Sequence, residues 1–128
     1  MTVTINASTS TGLVQTADTS GIIKLQSNGV TTNALAWANF NGSGGVSGIT
    51  SYNVSSITRA STGLYTLNFN TATTDANYVI AGYSTSGNNT FISATSAQAK
   101  TTSACAFYSL NSAGPVDGNP IAVVIFGN

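Results

Sequence analysis

The sequence predicts an all-β protein, an antiparallel β-sandwich of jelly-roll-like form. Short β-prone runs recur along the 128 residues with turn-forming residues between them, and no segment shows a helical period. Charged residues make up 5% of the chain, against about 25% in a typical globular protein. The polar surface must therefore come from Ser, Thr, Asn and Gly, which favour strands and turns over helices.

Residues 1–33 differ from the rest and are predicted to form a short β-rich attachment segment. Strand-like runs at residues 2–6, 12–15 and 22–26 are separated by turns. Asn28-Gly29 is the clearest hairpin signal in the chain, because both residue types accept the positive φ angles of a type I′ turn. Three short strands with few large side chains are not stable alone, so this segment needs the body or copies of itself.

Residues 34–128 are predicted to form the sandwich, beginning with an alternating strand at residues 35–40. Side chains alternate across a strand, so its residues divide between two faces. One face carries Leu35, Trp37 and Asn39, and the other carries Ala36, Ala38 and Phe40. A glycine-rich turn at residues 41–45 follows, and residues 46–52 lead into the next hairpin.

A hairpin at the centre of the chain joins two β-prone runs, residues 54–57 and 64–69. The second run alternates cleanly, with Tyr65, Leu67 and Phe69 on one face. A connection of about five polar residues containing Gly, residues 59–63, is typical of a hairpin with a bulge or a short loop.

Two further hairpins are predicted in the remaining chain. Residues 78–83 and 91–95 flank a polar tip, and residues 104–110 and 121–126 form the last pair. The final run, IAVVIF, is apolar on both faces, which predicts a central strand covered on both sides. One face would pack inside the subunit and the other against a neighbouring subunit.

The scarcity of charge predicts an obligate oligomer. Exposed sheet edges are commonly protected by Lys, Glu or Pro, and this chain has two Lys, no Glu and two Pro. We place Trp37, Val124 and Phe126 at the subunit interface. The mid-strand position of Trp37 favours the core or an interface over an exposed stacking platform. The alternative is a monomer with short, twisted edges.

Composition argues against catalysis, metals and cofactors. Without His, the nucleophilic triads and dyads and the common zinc sites are excluded. The acidic residues Asp18, Asp75 and Asp117 lie in three separate turns, so neither a carboxylate pair nor a calcium loop is indicated. Three copies of one Asp on a symmetry axis remain an alternative ion site. The lone Cys105 is interpreted as a small buried apolar residue. We predict no enzyme.

Nucleic-acid and membrane partners are also not expected. The formal net charge is zero, and phosphate binding needs clustered Lys and Arg. The longest strictly apolar run, residues 121–126, is far shorter than the roughly 20 residues of a membrane helix. The N-terminus shows no signal-peptide pattern.

Sugar binding is the chemistry that the composition leaves open, because aromatic faces, amides and hydroxyls are all present. Two loop regions supply candidate receptor or glycan contacts. They are Tyr83, Asn88, Asn89 and Thr90 in one, and Asn111, Asp117 and Asn119 in the other. Either set is a candidate, and the alternative is that these residues only form turns.

Five phrases in a fixed order carry a family resemblance. They are AWANFNG at residues 36–42, SYNVSSIT at 51–58, GLYTLNF at 63–69, DANY at 75–78 and IAVVIFG at 121–127. Together they resemble the C-terminal module of tail-fibre-like proteins of tailed bacteriophages, particularly phages of aquatic bacteria. Residues 16–29 are similar to the stretch that often precedes this module.

The resemblance implies a homotrimeric, non-catalytic appendage on the outer surface of a virion. It implies host attachment, with residues 1–33 docking on other virion proteins and the distal loops touching a host surface glycan. Because no extended shaft is recognisable, a capsid decoration or head fibre protein is a second interpretation. A free carbohydrate-binding module is a third, and a polysaccharide-cleaving enzyme is the least supported.

Overall fold

The computed structural model describes residues 26–27, 30–31, 33–87, 90–94 and 100–127. This part of the chain contains strands and no helix, which confirms the predicted all-β antiparallel sandwich. The strands are β1 (Gln26–Ser27), β2 (Val30–Thr31), β3 (Ala34–Asn41), β4 (Ser47–Tyr52), β5 (Val54–Ser61), β6 (Leu64–Phe69), β7 (Val79–Ser84), β8 (Phe91–Ala94), β9 (Ala104–Asn111), β10 (Gly114–Pro115) and β11 (Ile121–Phe126).

Two main sheets form the sandwich. The front sheet has the strand order β4-β3-β11-β7. The back sheet has the order β10-β9-β6-β5, and β8 also pairs with β9. All pairings are antiparallel.

The N-terminal hairpin is a separate two-stranded pairing. Ser27 lies opposite Val30 and Gln26 opposite Thr31, whereas the predicted Asn28-Gly29 turn itself lies outside the described residues. The predicted strands at residues 2–6 and 12–15, and most of that at 22–26, lie outside the described residues.

The core lies between the sheets and follows the predicted alternation. Ala36, Ala38 and Phe40 point inward from β3, and all are at most 1% exposed. Tyr65 and Leu67 point inward from β6 with no exposure. The Phe40 and Tyr65 rings pack edge to face with centroids 5.2 Å apart. This arrangement adds to the stabilisation from apolar burial.

The central hairpin is confirmed, with a shorter connection than predicted. Strand β5 continues to Ser61, so only Thr62 and Gly63 form the turn. A register shift between Arg59 and Ser61 accommodates the irregularity as a bulge. Gly63 has a φ of +69°, and a Cβ there would lie 2.6 Å from the carbonyl oxygen of Ser109. The turn therefore requires glycine.

The two predicted later hairpins, which paired residues 78–83 with 91–95 and residues 104–110 with 121–126, are wrong. β7 pairs with β11 in the front sheet, whereas β8 pairs with β9 in the back sheet. β9 and β11 likewise lie in different sheets. The chain therefore changes sheets between β7 and β8 and again between β10 and β11. Within the subunit only the inward face of β11 is buried, with Ile121, Val123 and Ile125 at most 3% exposed, whereas Phe126 on the outward face is 41% exposed. The predicted central position of β11 is confirmed, since it lies between β3 and β7.

Asn53 carries the chain from the front sheet to the back sheet between β4 and β5. Its φ of +55° is in the left-handed region, which Asn tolerates better than most residues. Its Nδ2 donates to the carbonyl oxygens of Leu35 (2.9 Å) and Thr71 (3.0 Å), and its Oδ1 accepts from Thr71 N (2.7 Å). These bonds fix the crossing, and with it the end of β4.

Candidate functional site

The candidate site is the outer face of the front sheet. In one row across the sheet, Trp37 on β3 lies between Tyr52 on β4 and Val124 on β11. In the next row, Ala122 lies between Asn39 on β3 and Tyr83 on β7. Because side chains alternate across strands, these residues all face away from the core.

This outer face is aromatic and uncharged. Trp37 is 38% exposed, Tyr83 51%, Phe126 41% and Val79 64%. None of the four strands of the front sheet contains a charged residue. Large exposed apolar patches on soluble proteins usually mark contact surfaces, which makes this face the candidate contact surface of the subunit.

A groove of about 330 Å³ runs across this face. Trp37 and Tyr83 are its large side chains, whereas Gly82 and Ala122 contribute little side-chain bulk. Its lining consists of Trp37, Ala38, Asn39, Gly82, Tyr83, Ala122, Val123 and Val124. We call it the outer groove. Its volume lies within the range of roughly 300–1,000 Å³ typical of small-molecule sites.

The three residues predicted for the subunit interface lie on the same face. Trp37 and Val124 are cross-strand neighbours, and Phe126 follows two residues later along β11. Trp37 is not a core residue of the subunit, since 38% of it is exposed. That leaves an interface or a stacking platform as its role.

The structure brings only part of the two predicted glycan sets together, namely Tyr83, Thr90 and Asn119. Tyr83 lies on the outer groove. Ser84 follows Tyr83 in the chain, and its carbonyl oxygen accepts a hydrogen bond from Thr90 Oγ1. From the other set, the Asn119 N–H donates to Thr85 O at 2.7 Å. Asn88 and Asn89 lie outside the described residues.

The side chains of Asn111 and Asp117 are used in contacts within the fold. Asn111 Oδ1 accepts from Ala113 N at 2.9 Å and closes the turn between β9 and β10. The carboxylate of Asp117 binds Arg59, with 3.1 Å to Nε and 2.7 Å to Nη2. Both side chains therefore stabilise the fold through these contacts.

Asp117 is the centre of a polar cluster that ties its loop to the β5–β6 hairpin. Its Oδ1 also accepts from Gly63 N at 2.8 Å and from the Tyr65 hydroxyl at 2.6 Å. Hydrogen bonds from Arg59 above all, and those from Gly63 and Tyr65, lower the pKa of Asp117 to about 2 against the opposing effect of burial. Burial and the carboxylate raise the pKa of Tyr65, which stays protonated and donates. We call this cluster of Asp117 with Arg59, Gly63 and Tyr65 the clasp, because it holds the Asp117 loop against the β5–β6 hairpin.

A second group of polar contacts surrounds Cys105, which is fully buried as predicted. Burial raises the pKa of its thiol, which keeps it protonated and unreactive. The hydroxyl of neighbouring Tyr78 lies 2.8 Å from the carbonyl oxygen of Ala104, and Lys100 Nζ donates to Tyr78 O at 2.7 Å. Lys100 also lies 5.2 Å from the Tyr78 ring centroid. These contacts hold the loop before β9 in place.

Sequence reasoning identified Trp37 and Tyr83 but missed the groove between them. The missing partners are Asn39 and Ala122. Asn39 carried a usable signal, because it shares the exposed face with Trp37 in the alternating run. No pattern of neighbouring residues in the sequence indicated that β7 lies two strands away from β3. The position of Tyr83 near Trp37 therefore could not be predicted from the sequence.

Within the part of the chain that the structure describes, no three His, Cys, Asp or Glu residues are grouped so that they could hold a metal ion. The same residues include no helix of the length and apolar character needed to cross a bilayer.

Comparison of the chain with protein-family models, curated proteins and solved structures found no match.

Proposed function

We propose that this chain is a non-catalytic structural protein of a bacteriophage particle, a homotrimeric tail-fibre-like appendage of the outer virion surface that acts in host attachment. The observation that carries the proposal is the uncharged, aromatic outer face of the front sheet. The ordered phrases between residues 35 and 127 supply the phage context by resemblance to tail-fibre-like modules.

Trimer assembly is supported by the sheet edges as well as by the outer face. β4, β7, β5 and β8 form the outer edges of the two sheets. They contain no Pro, and Arg59 is their single charged residue. Such edges are prone to pair with other chains, and contact between copies of a jelly-roll-like sandwich would cover them.

The apolar end of the outer face is the proposed contact between copies. Val79 and Phe126 lie opposite each other there and are 64% and 41% exposed. Removing these side chains from water would contribute roughly 25 cal/mol per Å² of apolar surface. Residues 1–33 are proposed to attach the trimer to other virion proteins.

A mass-spectrometric inventory of purified virions tests the function. We expect the protein in the particle, and a cryo-EM reconstruction is expected to show trimeric density at the tail. Density on the head lattice alone would support a capsid decoration protein instead. Absence from purified virions would overturn the proposal.

The trimer has an independent test in native mass spectrometry and sedimentation. We expect a trimer at micromolar concentration and a melting temperature that falls on dilution, because assembly stabilises the folded subunit by mass action. A stable monomer at micromolar concentration would contradict it.

A further inference from the structure

We infer that the outer groove is a binding site for a neutral sugar ring, held by the aromatic side chains of Trp37 and Tyr83. The inference rests on the proposed attachment function, for which it names the class of ligand and the place of contact. It locates the contact on a sheet face and not at the loop tips.

The first argument is the shape of the groove. Gly82 has no side chain and Ala122 only a methyl group, so space remains beside the large side chains of Trp37 and Tyr83. The faces of aromatic rings carry partial negative charge, and the C–H groups on one side of a sugar ring carry partial positive charge. A flat apolar sugar face therefore fits against either ring.

The second argument is that polar groups at the groove are available. Within the described part of the chain, neither the Asn39 amide nor the Tyr83 hydroxyl hydrogen-bonds to another residue. By contrast, the side chains of Asn53 and Asn68 are bonded within the fold. The Asn39 amide offers both a donor and an acceptor, which suits the hydroxyl groups at the edge of a sugar.

The third argument is charge. The residues that line the groove include no Asp, Glu, Lys or Arg, whereas sites for acidic sugars need Arg or Lys beside the carboxylate. The ligand class is therefore a neutral hexose or N-acetylhexosamine. A nucleotide or a sialylated glycan would bring uncompensated negative charge.

The assignment changes one earlier prediction. Trp37 is now assigned to sugar contact and no longer to the subunit interface. The proposed interface is therefore limited to the end of the face that holds Val79 and Phe126. Val124 borders both regions. A second copy seated over the groove is the competing occupant, and the experiment separates the two.

The test is a fluorescence titration of the full chain, because Trp37 is its single tryptophan. The probes are the methyl glycosides of glucose, mannose and galactose, and N-acetylglucosamine, with saturation-transfer NMR as a second readout. We expect a saturable change in Trp37 emission with at least one probe, and NMR transfer from the sugar C–H groups.

Three variants locate the site. Tyr83→Ala is expected to weaken binding about tenfold, and Asn39→Ala to weaken it less. Ala122→Leu would fill the floor and abolish binding without removing either ring. The matched control is Phe91→Ala, which removes a 49% exposed ring from the back sheet and should leave the titration unchanged.

The inference is overturned if no probe gives a saturable response in either readout. It is also overturned if Phe91→Ala weakens binding as much as Tyr83→Ala. A sugar-independent blue shift of Trp37 emission with rising protein concentration would assign the groove to a second copy. A negative titration on a protein found in virions would remove this inference and keep the proposed function.

Discussion

The outer faces of the two sheets differ in how they meet solvent. On the β5–β6 half of the back sheet, Asn68 Nδ2 donates to Ser56 Oγ at 3.0 Å and to Thr58 Oγ1 at 3.3 Å. Those side chains satisfy one another. The front sheet instead exposes Trp37 and Tyr83 beside a groove.

Folding alone does not account for the difference between the two outer faces. Both faces obey the same strand alternation, and both lie opposite the same core. A polar ladder like that on the back sheet would have served the front sheet equally well for folding. The aromatic face is therefore not explained by folding of the subunit, which is why we propose a contact role for it.

The largest expected effect comes from placing the same charge on the two faces of β11. Val123→Asp would bury an unpaired carboxylate in the core, because Val123 is 3% exposed, and should cost about 4 kcal/mol or more of unfolding free energy. Val124→Asp faces outward and should instead remove the soluble trimer while the β-structure persists. Urea unfolding and sedimentation measure the two effects. Equal destabilisation by both substitutions would erase the distinction between the faces.

The clasp around Asp117 tests whether polar contacts of the back sheet serve stability. Asp117→Ala leaves the Gly63 N–H without its acceptor and leaves the Tyr65 hydroxyl only its longer, 3.3 Å bond to the carbonyl oxygen of Gly42, and should cost about 2–3 kcal/mol in urea unfolding. Arg59→Ala removes only the exposed partner and should cost less. The reverse order would show that the ion pair, and not the buried donors, holds the loop.

Acid titration examines the same clasp. The folded-state pKa of Asp117, about 2, lies below its ordinary value of 3.8. Its contribution is thus fully present above about pH 4 and is lost as the pH falls toward 2. Asp117→Asn should flatten this part of the stability profile. An unchanged slope in Asp117→Asn would contradict the assignment.

The smallest effect is expected from single exposed residues on each face. Asn68→Ala should cost about 0.5 kcal/mol, because it removes exposed hydrogen bonds. Tyr83→Ala should change the unfolding free energy by no more than about 0.5 kcal/mol while it weakens sugar binding. Thermal and chemical denaturation of the protein provide the comparison. A large loss of stability in Tyr83→Ala would make the ring a folding residue.

Local pattern was sufficient for side-chain orientation. The inward Ala36, Ala38 and Phe40 of β3, and the inward Tyr65 and Leu67 of β6, follow from strict alternation. Both the β5–β6 hairpin and the β1–β2 hairpin follow from turn chemistry next to the paired strands. These features depend on residues close together in the chain.

Strand partnership could not be predicted in the same way. β7 and β8 are consecutive and separated by a polar tip, yet β7 joins β11 and β8 joins β9. Whether a loop closes a hairpin or crosses the sandwich depends on which distant strand offers an apolar face. The residues of the turn do not indicate which of the two connections forms.

The sequence by itself determined the all-β class, the inward and outward faces of the strands that it located, and the lack of charge on the front sheet. Only the tertiary structure decided that Tyr83 lies across Ala122 from Asn39, and that Asp117 meets Arg59 and Tyr65. The first set follows from the two-residue repeat of a strand, which is local. The second depends on which sheet each strand joins, and the pairing of β11 with the distant strands β3 and β7 forms only when the whole chain has folded.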